Sequence, residues 1–555
     1  MKPRSYDDLS KQELIEQLKA RDRKDATRFG LVWEADEIDR DKALNSDFVA
    51  LNLDSALSQG DGPWRNLIIE GDNYDALRAL KLGFAGRVKC IYIDPPYNTG
   101  NKDFVYNDRF VDKEHAWRHS LWCEFMFRRL ELAKDLLAPD GVIFVSIDDN
   151  EAAALKLLLG KVFAEQNAIA TFIWRKVDSP NDNKVAITPD HEYILAFGLN
   201  KDLLRLRQMH APHIVGAYGS IGDDGIRYRD RLLKKNGKNS LKKDRPTMCF
   251  PLKGPDGIEV LPVHENGEEA RWAMGCVGVE KHRAANTLIW KKKQKLGKEV
   301  WEPYTREFAP AMPTRPWPTI WSDLPTSRQA KAMLRDIFDS VETFSTPKPV
   351  ELLERALQIG AGPNDIILDF FAGSGTTAHA VAKLNASDGG NRRFILVSST
   401  EATLEEPHKN ICRDVCAERV RRVMTGYSET AGMGGNFAYL RCRRIAESEL
   451  IDIAHEQVWT ALQLLHRESL QPYAAKALHW REDESESEGL GALAYVERLG
   501  VGTLAELKRL IRSVPSALIY TWQAAALRNR LEQFEHIQIE SIPQSLARKF
   551  GFKIT

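Results

Sequence analysis

Four consecutive residues, Asp94-Pro95-Pro96-Tyr97, follow directly on the apolar run Val88-Lys89-Cys90-Ile91-Tyr92-Ile93. Proline has no backbone N–H and fixes its own φ, so a strand cannot continue through two of them and must end in a stiff turn. That turn sets a carboxylate beside an aromatic ring. An exocyclic amine on a nucleobase is a poor nucleophile because its lone pair is delocalised into the ring. Hydrogen bonds from its N–H groups to Asp94 and to the Pro95 carbonyl would localise that pair, so that the amine attacks a methyl group already activated on a cofactor. Tyr97 would stack on a base rotated out of its duplex, with Phe104 and Tyr106 as pocket wall and Asn98 on the same substrate side. A structural turn is the competing explanation; it is the weaker one, because another strand of the chain ends in a loop suited to a cofactor. Carbon methylation of cytosine would call for a cysteine in the loop, whereas Cys90 lies inside the strand.

That other loop is Asp369-Phe370-Phe371-Ala372-Gly373-Ser374-Gly375-Thr376-Thr377, which follows the apolar run Ile366-Ile367-Leu368 and opens a helix. Its two glycines let backbone approach a ligand closely, and a helix N-terminus offers unpaired amides. The third glycine of a dinucleotide fingerprint and the Lys-Ser/Thr of a phosphate loop are both missing, which disfavours NAD and ATP. S-adenosylmethionine suits the loop better: it has no phosphate, and its ammonium group needs an acceptor such as Asp369. Ribose hydroxyls call for an acid at the end of the following strand. Glu401 is the nearest, but it comes a few residues late, after Ser398 and Ser399, and an ordinary surface glutamate is an equal explanation.

The elements that must position these loops are legible as a pattern. Asn66 to Asn73 reads as a short strand and turn, Tyr74 to Leu82 as a helix, and Val88 to Ile93 as a buried strand. Trp117 to Leu137 is a helix stopped by Pro139-Asp140-Gly141, followed by the strand Val142 to Asp148 and the helix Glu151 to Phe163. Beyond about residue 170 this alternation gives way to short mixed segments, up to the proline-rich stretch Pro310 to Pro325. It resumes at Pro347 with the helix Val350 to Ile359, the Asp369 strand, a helix through Leu384 and the strand Arg393 to Val397. Such alternation predicts a mainly parallel, doubly wound sheet of the Rossmann-like α/β class, with an inserted domain. Leu9 to Arg23 carries the spacing of a short N-terminal helix. After about residue 440 the pattern is mainly helical, with an acidic hydrophilic stretch from Glu482 to Glu488 read as a solvated loop.

The chain has 555 residues, 43% apolar and 28% charged, the balance of a soluble globular protein with several domains. No stretch resembles a membrane span, and the charged stretch Met1 to Arg28 lacks the apolar run of a signal peptide, so a cytoplasmic protein is expected. Seven scattered cysteines do not suggest a disulfide framework. Cys412 and Cys416 with His408 are too few to close a zinc site, and no metal is expected. Basic and acidic residues balance at 78 each, but their distribution is uneven. Nine basic residues crowd between Arg227 and Arg245, and a second cluster includes Lys291, Lys292, Lys293, Lys295 and Lys298 between Trp290 and Trp301. Phosphate tracking and a solvated basic face both account for such clusters.

Taken together, Asp94-Pro95-Pro96-Tyr97-Asn98-Thr99-Gly100, continuing through Asp103-Phe104-Val105-Tyr106-Asn107-Asp108, with Phe371 to Thr377 far downstream, resembles the amino-methyltransferases of the β order. In that order the catalytic motif precedes a target recognition domain and then the cofactor motif. More narrowly, the chain resembles the modification subunits of type III restriction-modification systems, from about Gly30 to about Arg422. The resemblance implies that Phe344-Ser345-Thr346-Pro347-Lys348-Pro349 helps enclose the methionine end of S-adenosylmethionine, which adds Lys348 and Pro349 to the cofactor residues. It implies that Gly71-Asp72-Asn73 lies beside the site. It also implies double-stranded DNA as substrate, usually methylated at adenine N6, and members that are often dimers.

The implied organisation is a helical arm at 1–35, the catalytic half of the methyltransferase domain at 36–165, a target recognition domain at 166–325, the cofactor-binding half at 326–438, and a C-terminal region of unassigned role at 439–555. Lys234, Lys235, Lys242, Lys243, Lys291 and Lys292 are then the expected DNA contacts. A cytosine-N4 or RNA amino-methyltransferase uses the same loop, and a non-catalytic DNA-binding subunit would share the fold; these alternatives stay open. With no Gly-x-x-x-x-Gly-Lys-Ser/Thr loop, the chain is not itself an ATP-driven motor, so a restriction or helicase subunit would be a separate partner.

Overall fold

The computed structural model describes residues 11, 33, 47–100, 105–106, 109–110, 118–178, 186–295, 298–340, 344–403, 405–446, 453–482 and 491–542. The helix expected between Leu9 and Arg23 lies outside the described residues apart from Lys11.

One ten-stranded sheet carries the site. Its order is Phe48–Gln59, Phe437–Ile445, Leu67–Glu70, Arg393–Ser398, Ile366–Asp369, Val88–Ile93, Leu137–Ile147, His191–Gly198, Ala168–Arg175 and Ile320–Trp321. The strands from Phe437–Ile445 through Leu137–Ile147 run parallel to one another. The inner ones carry nearly continuous apolar runs, such as Phe394-Ile395-Leu396-Val397 and Val142-Ile143-Phe144-Val145, because both faces are covered there. Ile91, Ile93, Ile143, Val145 and Leu368 share one core with the helices Asn73–Phe84, Arg118–Leu136 and Ala152–Phe163. On the opposite face the helix Val350–Gly360 approaches so closely that a Cβ on Gly360 would come within 2.7 Å of Val142, 2.9 Å of Phe144 and 3.1 Å of Cys90. The sheet is therefore doubly wound, as its alternating pattern predicts.

The Val88–Ile93 and Ile366–Asp369 strands are parallel neighbours, with Cys90 opposite Ile367 and Ile91 opposite Leu368. From this pair the chain departs in opposite directions: toward Arg393–Ser398 on one side and Leu137–Ile147 on the other. That is a topological switch point, where helices on opposite faces leave a crevice beyond the strand ends. Asp94 and the Asp369 loop both emerge there.

The insert is narrower than the sequence pattern suggests. Ala168–Arg175 and His191–Gly198 pair antiparallel with each other and extend the main sheet, as does Ile320–Trp321, so the separate compact unit is Gln208–Trp317 rather than 166–325. Taken by itself, that unit holds a four-stranded sheet ordered Ser220–Ile221, Arg227–Leu232, Lys298–Phe308 and Leu288–Lys295, and a small core around Leu233, Leu252, Trp272 and Val279.

The expected boundary at 438/439 falls inside the strand Phe437–Ile445, and the following region is not mainly helical. Leu478–Glu482, Ala492–Val496, Ala517–Thr521 and Ile537–Ser541 form a second sheet, with Val501–Ile511 and Ala524–Leu531 as crossover helices. Runs such as Ala517-Leu518-Ile519-Tyr520-Thr521 are buried throughout. They carry no alternation of polar and apolar residues, and so cannot be told from helix segments by period.

Helix Asn73–Phe84 begins at Asp72, whose carboxylate accepts from the N–H groups of Tyr74 and Asp75. Near its other end it meets the helix His455–Arg467 so closely that a Cβ on Gly83 would lie 2.3 Å from the Leu464 carbonyl oxygen. Gly83→Ala is expected to cost about 1–3 kcal/mol of stability through this backbone overlap, seen as a lower urea midpoint. Gly502→Ala, in open space on the helix Val501–Ile511, should cost nothing.

Candidate active site

Asp94 follows directly on the strand Val88–Ile93, and Pro95 and Pro96 turn the chain away. The turn is braced from below. The Trp122 indole donates to the Pro96 carbonyl at 2.7 Å, and Tyr92 shares a 2.7 Å hydrogen bond with Ser146. Asn98 adopts φ +58°, and its amide donates to Glu151, which also bonds His119. Asn98 is fully buried. Its side chain therefore secures the loop from the protein side, a correction to the substrate-facing position expected from its place in the motif.

Above the turn lies a compact charge network. Tyr97 Oη lies 2.8 Å from Asp94 Oδ1 and 3.0 Å from Glu192 Oε2; having one proton, it donates to only one of them at a time. Lys348 Nζ donates to Tyr97 Oη at 2.8 Å, lies 2.9 Å from Asp94 Oδ2 and 3.2 Å from Glu192 Oε2, and sits 4.9 Å from the Tyr97 ring centroid. Lys176 Nζ reaches Glu192 Oε1 at 3.3 Å. Burial raises the Asp94 carboxyl above its ordinary value even with Lys348 pulling it back. Burial would raise Glu192 as well, but Lys348 and Lys176 outweigh it and hold that acid below the usual range. Burial and the neighbouring acids keep Tyr97 a neutral hydroxyl.

The expected cofactor loop occupies the adjacent strand end. Asp369 is buried, its carboxylate accepting from the Phe371 N–H at 3.0 Å and the Thr377 hydroxyl at 2.5 Å. Burial lifts it to about 7. No cationic side chain pairs with it among the described residues. Gly373 and Gly375 adopt φ +48° and +75°, and a Cβ on Gly375 would stand 3.0 Å from the Cys416 carbonyl oxygen. Ser374 and Thr376 are held from beneath by the buried Arg419 guanidinium, at 3.0 and 2.7 Å. Ala372 is buried, whereas Phe371 is partly exposed, its ring 6.0 Å from that of Phe125.

Asn73 donates to the Phe370 carbonyl at 3.0 Å, and Arg129 pairs with Asp72 at 3.0 Å while stacking over Phe125. Gly71-Asp72-Asn73 is thus tied to the Asp369 loop. Pro349 caps the helix Val350–Gly360, and its neighbour Lys348 reaches Asp94 rather than the Asp369 loop. Glu401 adopts φ +52°, is exposed, and pairs with Lys409 at 3.3 Å. Phe104 lies outside the described residues, and Tyr106 is described only as backbone of the short strand Val105–Tyr106.

Within Gln208–Trp317, several lysines expected to contact nucleic acid already have partners. Lys242 pairs with Glu269 at 2.8 Å, Lys291 with Asp230 at 2.8 Å and Lys292 with Glu299 at 2.9 Å, while Lys234 donates to the Val263 carbonyl at 3.0 Å. Lys235 and Lys243 have no ion-pair partner among the described residues. Among those residues no group of three or more His, Cys, Asp or Glu is placed to hold a metal ion.

Sequence reasoning missed Glu192, Lys176, Trp122, Arg129 and Arg419. Trp122 and Arg129 are ordinary residues of a helix by pattern, Arg419 lies in a helix that no motif marks, and Glu192 and Lys176 fall beyond residue 170, where the alternation of strand and helix is lost.

Residues 88–406 match the family described as DNA methylase. The chain is 31% identical over 385 residues to the type III restriction-modification enzyme StyLTI Mod subunit of Salmonella typhimurium, covering 64% of this chain and 57% of that one. It is 33% identical to the EcoPI Mod subunit of Escherichia phage P1, covering 61% of this chain and 58% of the relative. It is also 33% identical to the type II methyltransferase M.KpnI of Klebsiella pneumoniae, covering 66% of this chain and 88% of the relative. The chain thus spans somewhat over half the length of the two Mod subunits. An acid-and-proline turn and a glycine loop sharing one switch point, within a match that takes in both strands, lead to one conclusion: this chain belongs to the DNA methylase family.

Proposed function

We propose that the protein is a site-specific DNA methyltransferase that transfers a methyl group from S-adenosylmethionine to adenine N6 in double-stranded DNA, as the modification component of a restriction-modification system. The observation that carries this is the pair of acids at neighbouring strand ends. Asp94 is set to accept from an amine, and Asp369 is an acid without a cationic partner among the described residues.

Asp369 also tests the fit of the cofactor. A buried carboxyl held near neutrality, with only a hydroxyl and an amide donating to it, accommodates an ammonium group. The positive-φ glycines keep side chains out of the same turn. Phe371 and Asp72, which are held by Phe125 and Arg129, would be further residues flanking it. Bound there, S-adenosylmethionine supplies an electrophilic methyl group. The chain's part is positioning: Asp94 accepts an N–H of the target amine and localises its lone pair, and Tyr97 offers its ring to the extruded base. Methylation, which would exchange the methyl–sulfur bond of the cofactor for a methyl–nitrogen bond and leave its sulfur as a neutral thioether, would put a surplus proton on the amine; the hydrogen bond to Asp94 gives that proton a path to a carboxyl whose pKa burial raises.

The two type III relatives are Mod subunits, which supports a separate restriction subunit as partner and extends, within this proposal, to a dimer of the chain itself. Among the described residues no helix is long and apolar enough to cross a membrane, in keeping with an enzyme that meets DNA in the cytoplasm. Gln208–Trp317 is proposed as the target recognition unit. Exposed ion pairs contribute little, so lysines such as Lys292 can exchange a glutamate for a phosphate.

Incubation with labelled cofactor and duplex DNA, followed by nucleoside analysis, is expected to yield N6-methyladenine; N4-methylcytosine, or label in RNA alone, would replace the proposal with those chemistries. Asp94→Ala should lower turnover at least about a hundredfold, and Tyr97→Ala should lower it too, both with cofactor affinity retained. Because the Asp369 carboxyl lies above its ordinary value, at about 7, it is protonated below that pH and a bound ammonium must expel the proton. Calorimetric affinity for S-adenosylmethionine should therefore weaken as pH falls from about 7 to 5, approaching about tenfold per unit, and Asp369→Asn should flatten this dependence. Converting Lys235 and Lys243 to Gln should lower the slope of log affinity against log salt by about 2; an unchanged slope removes both from the phosphate contacts.

A further inference from the structure

Lys348 occupies the position that the proposed chemistry reserves for the substrate. Its ammonium has three N–H donors, and three acceptors surround it: Asp94 Oδ2 at 2.9 Å, Tyr97 Oη at 2.8 Å and Glu192 Oε2 at 3.2 Å. The other Asp94 oxygen has Tyr97 Oη at 2.8 Å. Both oxygens of Asp94 are thus engaged before any base arrives. A cation in contact with Asp94 also withdraws the electron density that would polarise a neutral amine.

An incoming amine brings no charge to replace the lysine. If Lys348 simply left Asp94, a nearly buried ammonium, 10% exposed, would lose its counter-ion, which is strongly unfavourable in a low-dielectric site. Glu192 removes that obstacle. It is 9% exposed, already within reach of the same Nζ, and anchored at its other oxygen by Lys176. The group holds two acids and two lysines, so Lys348 can move fully onto Glu192 and keep a counter-ion, while the Asp94 carboxylate, left without a cation, has the N–H groups of the amine and the Tyr97 hydroxyl as its donors.

Resting on the amino-methyltransferase function proposed above, we infer that Lys348 is a placeholder for the target amine in the free enzyme, and that Glu192 is the acid that receives it when the amine takes Asp94. Glu192 is a positioning residue: it acts on Asp94 through Lys348 and does not touch the base. The exchange makes an open Asp94 conditional on an amine being present, and a purine without an exocyclic amine has nothing to offer in return.

The isosteric Glu192→Gln leaves Lys348 with Asp94 as its only acid. Turnover on duplex DNA should fall at least about tenfold with affinity for S-adenosylmethionine unchanged, and the double variant Glu192→Gln/Lys348→Gln should regain several-fold over Glu192→Gln alone, because no ammonium then holds Asp94. Merely structural roles would make the double variant as poor as the single one or poorer, and that result overturns the inference. A binding readout stands apart from catalysis and from the folding of the Glu192 variant. Duplexes carrying adenine or unsubstituted purine at the methylated position are compared for affinity, and Lys348→Gln should prefer adenine more strongly than wild type does. An equal preference in Lys348→Gln and wild type also overturns it. Absence of methyl transfer by the wild-type protein would sink the proposed function itself, whereas an active wild type with an equally active Glu192→Gln sinks only the handover.

Discussion

Two parallel strands hydrogen-bonded side by side, with the chain leaving them in opposite directions, are the constraint on which the rest of this molecule depends. Cys90 opposite Ile367 and Ile91 opposite Leu368 fix the register. Strands in register and parallel end at the same edge of the sheet, so an acid from each must emerge into one crevice. The helices that follow lie on opposite faces, which keeps the crevice open. No loop has to reach across the molecule to assemble the site, and its precision is that of the sheet.

Burial then gives the two acids different characters. It pushes both carboxyls up, but Asp94 stands beside Lys348 while Asp369 has only a hydroxyl and an amide for partners. An acid compensated by a cation that a second acid can receive suits, in the handover inferred above, a neutral guest that must be admitted and released. An uncompensated acid near neutrality suits a guest that carries its own positive charge. In the proposed function, two aspartates a strand apart thereby divide the work without differing in chemical type.

Around them, rigidity comes from contacts that have no chemistry of their own. The indole of Trp122, the Asn98 to Glu151 bond, and the buried guanidinium of Arg419 under Ser374 and Thr376 hold the two turns in place. Asn73 ties the Gly71-Asp72-Asn73 turn to the Asp369 loop, and Arg129 holds Asp72 of that turn. These braces come from elements whose patterns mark them only as core helices and strands, so their roles were not legible beforehand. The same holds for Gln208–Trp317, where Asp230, Glu269 and Glu299 partner lysines that linear charge density alone left unpaired.

What the sequence by itself determined is what depends on neighbours along the chain. Two prolines must end the Val88–Ile93 strand; two positive-φ glycines must make the Asp369 loop; alternating strand and helix patterns must build a doubly wound sheet. These follow from constraints that act within a few residues. The strands Ala168–Arg175 and His191–Gly198 escaped notice because they lie where the strand–helix alternation stops, and the C-terminal sheet did because buried strands such as Ala517–Thr521 carry no alternation to mark them. Only the tertiary structure decided that Lys348 would turn toward Asp94, that Glu192 would stand behind it, and that Glu401 would stay with Lys409. A charge is defined by whatever lies within a few ångströms of it, and for these side chains that neighbourhood is assembled from segments far apart in the chain.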